Sequence, residues 1–180
     1  MLIDILMQRS TMTFEKRLSK LFQLDDTTWM RHANPLSVWT RYSVLPFIIL
    51  ACWSRETLGT WSAFLVMLSV LWMFLNPLIF SKPKSTKNWA SKSVLGERIY
   101  LNRDKLEIPL HHRTKLYHLL HLLSLLGVGI CIYAIIYYSV WAALLGIALT
   151  YLSKSWFLDR MVWLYEDMKE SDEKFKSWEY

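Results

Sequence analysis

The chain has 180 residues, 53% of them hydrophobic, and still carries 21 Lys and Arg against 15 Asp and Glu, a net charge of +6. An aromatic content of 15% excludes a disordered chain, and two cysteines, both inside apolar runs, exclude a disulfide scaffold. Leu116 to Ser153 is a run of 38 residues without a charged side chain, and Thr57 to Ser81 is another of 25. A small soluble domain has no place for helices that are apolar on every face, so the composition reads as an integral membrane protein.

In chain order, the first predicted element is a short amphipathic helix over 12–24. Phe14, Leu18, Leu21 and Phe22 share one face, and Glu15, Lys16, Arg17 and Lys20 take the other. Such a helix lies in the membrane surface. Met1 to Met7, with Asp4, does not read as a secretory signal. Asn34-Pro35 then pairs an N-cap residue with a proline at the first helical position, which opens a span over 35–58. Arg41 and Arg55 near its two ends must snorkel toward the interfaces.

Gly59 turns the chain into a second span over 60–80, closed by Asn76-Pro77. A polar residue beside a helix-breaking proline marks either the end of the helix or a kink. The 38-residue run would reach ~57 Å as one helix, nearly twice a bilayer core, so it divides into spans over 109–138 and 140–158 with a turn near Tyr138 to Val140. The predicted fold is all-α: four transmembrane helices in two hairpins, a cytoplasmic loop between the hairpins over 82–108, and an acidic helical tail over 159–180. Gly127 and Gly129 permit close helix approach in the third span, without a GxxxG spacing.

Charge placement fixes the expected topology. Residues 1–41, 82–115 and 154–180 hold 20 of the 21 basic residues, and Arg55 alone falls on the other side. The positive-inside rule puts that face, with both termini, in the cytoplasm. Trp39, Trp53, Trp61, Trp141 and Trp156 fall near the predicted interfaces, where aromatic belts sit. The segment 82–115 has nine bases and three acids, a net +6 equal to that of the whole chain. Anionic lipid accounts for Lys82, Lys84, Lys87 and Lys92, and no nucleic-acid partner is implied.

All five histidines, His32, His111, His112, His118 and His121, fall on the charged side. If a helix starts at Pro109, then His111, Lys115, His118 and His121 form one stripe about 120° wide. Imidazoles one turn apart can share a metal ion, so His111, His118 and His121 are candidate ligands, against the alternative of interfacial residues bonded to headgroups and water. The histidines are too few for the boxes of desaturase-like di-iron enzymes, and Ile108 stands where a first box histidine would be needed. A b-type haem requires histidines on facing helices, and only His32 lies off the third span. Arg41, Glu97, Arg98 and Asn102 form a second set. A carboxylate with several guanidiniums embedded among Leu95, Ile99 and Leu101 suits a phosphate or carboxylate headgroup.

The strings "WMRHANPLSVWTRY" (29–42), "NPLIF" (76–80), "NWASKSVLGERIYLNR" (88–103) and "IPLHHR" (108–113) resemble a family of small membrane proteins known only as a domain of unknown function. The resemblance brings no activity, cofactor or partner. It implies that the recognisable parts are polar segments of the charged face: His32, Asn34, Arg41, Asn76, Trp89, Glu97, Arg98, Asn102, His111 and His112.

Three functions remain open. In a membrane-embedded enzyme, His32, Glu97, His111 and His112 would be catalytic, and Arg41, Asn34, Arg98 and Asn102 would bind an anionic or lipid-like substrate. In a homo-oligomeric channel or transporter, Arg41, Asn76 or the histidine stripe would ring a symmetry axis. In a structural subunit of a membrane complex, ten Trp, nine Tyr and the acidic tail against the basic segment would supply docking surfaces.

Overall fold

The computed structural model describes residues 26–180. The predicted amphipathic helix over 12–24 lies outside the described residues. Those residues are all-helical and contain no strand. In order they form α1 (Asp26–His32), α2 (Pro35–Thr40), a 3-10 turn (Arg41–Ser43), α3 (Val44–Trp53), α4 (Arg55–Leu58), α5 (Trp61–Ile79), α6 (Trp89–Leu101), a second 3-10 turn (Leu110–His112), α7 (Leu116–Tyr137), α8 (Val140–Met168) and α9 (Glu173–Lys176). Four stretches are long and apolar enough to cross a bilayer: Pro35–Trp53, Trp61–Ile79, Leu110–Tyr137 and Val140–Met168.

The first span begins as its sequence dictates. The Asn34 side chain accepts from the Leu36 amide at 2.9 Å, with Pro35 in the first turn. The span is then interrupted by the 3-10 turn, for which Pro46 supplies the reason. A proline there has no N–H for the carbonyl of Tyr42 and crowds it. Tyr151 on α8 donates its hydroxyl to that freed oxygen, which ties the first span to the last.

α5 packs along α3 and is held at its C-terminal end by polar bonds. Ser37 donates to the Asn76 side-chain oxygen at 2.7 Å, and Asn76 donates to the Thr40 hydroxyl at 2.8 Å. Asn34 and Arg31 donate to the carbonyls of Ser81 and Leu78 at 2.9 and 3.2 Å. Both polar groups of the fully buried Asn76 are therefore satisfied within the chain.

α7 and α8 meet where Gly127 faces Gly146. A Cβ on Gly127 would lie 2.4 Å from Thr150 Oγ1, and one on Gly146 would lie 2.6 Å from Cys131 Sγ, whereas Gly129 faces open space. Their connection turns at Tyr138, in the left-handed region at φ 52, and Ser139 caps α8. At that end Arg55 joins the two hairpins. It donates to the Ile135 carbonyl at 3.0 Å and stacks 4.1 Å over the Tyr138 ring, while Trp53 donates to the Ala134 carbonyl at 3.1 Å.

The polar end departs from the sequence reading. The segment expected as a loop over 82–108 contains α6, and the last span and the first part of the expected helical tail over 159–180 form one continuous helix to Met168. Asn88 caps α6 by accepting from the Ser91 amide at 2.9 Å. Leu95, Ile99, Met161, Leu164 and Tyr165 are essentially inaccessible and centre the largest apolar cluster, which Phe175 and Trp178 close. The contact needs Gly96: a Cβ there would sit 1.8 Å from the Met161 carbonyl oxygen.

Two substitutions test this contact. Gly96→Ala forces α6 away from α8 and is expected to cost about 1–3 kcal/mol in denaturant unfolding of the micelle-solubilised protein. Gly129→Ala, in open space, should stay within about 0.5 kcal/mol of the parent.

Candidate functional site at the polar end of the bundle

The candidate residues divide into two groups at different heights on α8. The lower group gathers where α1, the first span, α6 and α8 meet. The indoles of Trp39 and Trp89 stack there at 5.6 Å, and the Ser91 hydroxyl donates to the Ala33 carbonyl at 2.6 Å. These contacts place the buried His32 against Arg41, whose Nη1 lies 2.8 Å from His32 Nε2. Arginine has no lone pair to offer, so His32 accepts through Nε2 and carries its proton on Nδ1. That Nδ1 is buried and has no hydrogen-bond partner among the described residues. Burial first, and then the charges of Arg41 and Lys154, holds the His32 imidazole well below its ordinary 6.5. His32 is therefore a neutral acceptor.

Arg41 also donates from Nε to the Ser37 carbonyl at 3.0 Å. Among the described residues no carboxylate comes within 4.0 Å of it. Glu97, which attracts it from further off, bonds Lys154 at 3.1 Å. The group thus holds two cations, one carboxylate and a neutral histidine. Tyr42 bonds Ser155 through its hydroxyl at 3.0 Å on the same side.

The other expected anion binders have structural partners. Asn34 caps α2 and bonds Ser81, and Asn102 donates to the Arg98 carbonyl at 2.9 Å near the end of α6. Arg98 is ion-paired with Asp26 and lies 4.3 Å over the Trp178 ring. Burial lowers its affinity for the proton, and Asp26 opposes that shift.

The upper group lies beyond the bilayer-length part of α8. His111 and His112 each place Nε2 2.8 Å from the same oxygen, Oδ2 of Asp167. The single histidine stripe expected from Pro109 onward does not form. Arg113 leaves helical geometry at φ −90, ψ 63, and the Thr114 hydroxyl accepts from the Leu116 amide at 3.1 Å, so α7 starts afresh at Leu116. His118 is exposed, and His121 donates to the Tyr117 carbonyl at 2.6 Å and rests on Phe157. The structure therefore does not gather His111, His118 and His121.

Neither does it bring His111 and His112 to Glu97. The partners Lys154 and Asp167 are 13 residues apart on one helix, about 20 Å at the α-helical rise. Asp167 was not legible as a partner, since 55 residues separate it from His112 and nothing in its spacing singles it out from the other acids of the tail.

Four bilayer-length helices, with large apolar side chains such as Trp61, Leu125, Trp141 and Leu152 turned outward, define a polytopic α-helical membrane protein. Within that class the chain belongs to a family of unknown function, DUF6653, whose model matches residues 13–178. No curated protein and no solved structure matches the chain.

The state of His32 has a consequence for stability. In the unfolded chain it takes up a proton as pH falls through about 6.5, whereas in the folded chain it does so only at lower pH. Its contribution is complete above 6.5 and declines below, by up to about 1.4 kcal/mol per pH unit. His32→Gln keeps an acceptor for Arg41 and removes the titration. Unfolding free energies of parent and variant should diverge in slope between pH 6.5 and 5 and run parallel above pH 7.5.

Proposed function

We propose that the protein binds an anionic, lipid-like molecule at its polar end, with Arg41 as the group that holds the anion. The observation that carries this reading is Arg41 itself. It is a guanidinium within a membrane span, bonded to a neutral histidine and a backbone carbonyl, with no carboxylate within 4.0 Å among the described residues. Charge at membrane depth is costly without a counter-ion, and Glu97 is shared with Lys154. A phosphate or carboxylate headgroup would balance the extra charge and accept the guanidinium's remaining N–H groups in a bidentate pair.

The tail of such a molecule has apolar surface at hand, since Leu36, Trp39, Leu78 and Ile79 are exposed at the same level. The positive-inside preference supports a cytoplasmic orientation for this end. Any chemistry performed on the bound molecule would fall to His32, which is neutral and already hydrogen-bonded to Arg41.

Delipidated protein in neutral detergent, titrated with phosphatidylglycerol or phosphatidylcholine, tests the reading through thermal unfolding. The anionic lipid at about 100 times its Kd should stabilise the parent by about 2.7 kcal/mol. The zwitterionic lipid should have little effect. Arg41→Gln should abolish the difference, and Lys87→Ala, at an exposed surface lysine, should retain it. Equal responses to the two lipids in the parent, or an undiminished anionic response in Arg41→Gln, would overturn the proposal.

A further inference from the structure

We infer that His111, His112 and Asp167 form a binding site for a first-row divalent cation of the zinc type. The site stands apart from Arg41 and does not rest on the anionic-lipid reading.

The geometry carries the inference. The three donor atoms come from two distant parts of the chain, and all lie within 4.8 Å of one another. Both Nε2 atoms approach one carboxylate oxygen at 2.8 Å, and the two rings lie 4.3 Å apart between centroids. A cation ~2.1 Å from each of three ligands holds them roughly 3–3.5 Å apart, so small side-chain rotations complete the set.

Two imidazoles and one carboxylate suit zinc or iron(II), whereas magnesium and calcium prefer oxygen alone. The ligands must be deprotonated, and two neutral histidines with one aspartate leave a bound divalent ion with one net positive charge.

The surrounding chain holds this arrangement in place. His111 and His112 sit on a 3-10 turn set by Pro109, whose carbonyl accepts from the His112 amide at 3.0 Å. Arg113 closes the turn through its own amide to Leu110 at 2.9 Å and its side chain to Ile108 at 3.2 Å. Asp167 projects from the last turn of a continuous 29-residue helix. Neither support depends on a mobile linker, so the three donors are positioned before any ion arrives.

Exposure differs across the set in a way that suits ion entry. The His112 side chain is 5% exposed, while His111 and Asp167 are 66% and 45% exposed. One ligand is fixed in the core and two remain open to solvent. A cleft of about 340 Å³ adjoins the set at His112 alone, and Arg103, Asp104, Arg113, Lys115 and His118 line it. Three protein ligands leave a zinc ion one position for water or an anion, as in catalytic zinc sites. The neighbouring cleft has three cations, Arg103, Arg113 and Lys115, against Asp104, a net positive charge that favours an anionic fourth ligand.

The test uses the full chain, purified without a polyhistidine tag, stripped with EDTA and titrated with zinc chloride against a competing chelating dye. One zinc per chain is expected. His111→Ala removes an exposed ligand without disturbing the core and should weaken binding by at least about ten-fold. Asp167→Asn should do the same. His118→Ala, in the cleft wall but outside the donor set, should bind as the parent does.

Zinc should also raise the unfolding temperature of the parent and not that of His111→Ala, whose metal-free unfolding temperature should match the parent's. Clearly substoichiometric zinc in the parent would overturn the inference. So would undiminished affinity in His111→Ala, or an equal loss in His118→Ala.

Discussion

Helix α8 is longer than the membrane it crosses, and the rest of the polar end is built on the excess. Its 29 residues extend about 43 Å, against a hydrocarbon core of ~30 Å. α5 and α7, with 19 and 22 residues, roughly match the core. The surplus turns of α8 stand outside as a post, and α6 lies against that post because Gly96 allows its backbone to touch the Met161 carbonyl. One helix thus passes through two solvents. Where lipid surrounds it, apolar side chains gain nothing by leaving the surroundings, and association uses small residues and polar bonds, as at Gly127, Gly146 and Tyr151. Where water surrounds it, burial of Leu95, Ile99, Leu164 and Tyr165 drives association directly.

The same geometry explains where the basic residues go. Lys92 pairs with Glu166, and Lys169 bonds both Glu166 and Glu179 at 2.8 and 3.0 Å. The chain then returns to α6: Thr86 donates its hydroxyl to the Trp178 carbonyl at 2.7 Å and its amide to the Tyr180 carbonyl at 3.0 Å. The acidic tail therefore neutralises part of the basic segment within the molecule. Arg98 over Trp178 joins the same closure. This internal pairing makes Arg41 conspicuous, because it is a cation within a membrane-length stretch that has no carboxylate beside it among the described residues.

The spans were legible in the sequence because lipid leaves an unambiguous mark: long charge-free runs, Asn34-Pro35 at one end and Arg55 alone at the other. α6 was not, and for a physical reason. Its buried face includes Ser91 and Ser93, whose hydroxyls bond to the carbonyls of Ala33 and Ala90, and it carries a glycine at its centre. A helix that buries serine and glycine beside Val94, Leu95 and Ile99 has its apolar stripe interrupted by residues that read as a loop. The continuity of the last span with the helical tail was missed because Asp159 and Arg160 look like a break, yet Asp159 accepts from the Trp89 indole at 3.1 Å and one helix runs through. At the candidate site, His32 and Arg41 could be named from their place beside a helix start. The histidine stripe failed at Arg113, where the backbone leaves helical geometry, and the Thr114 hydroxyl accepts from the Leu116 amide as a new helix begins. Asp167 required the tertiary fold.

Because α8 carries both Lys154 and Asp167, it also fixes the spacing of the two candidate sites. A continuous helix does not shorten, so about 20 Å separates the Arg41 group from the His111–His112–Asp167 group unless α8 bends. No proline or glycine lies between Lys154 and Asp167 to permit a bend. A single headgroup cannot touch both. The lower site lies where the first span meets lipid, and the upper one opens toward water. Polar residues that the sequence places on one membrane face therefore lie at two depths along α8.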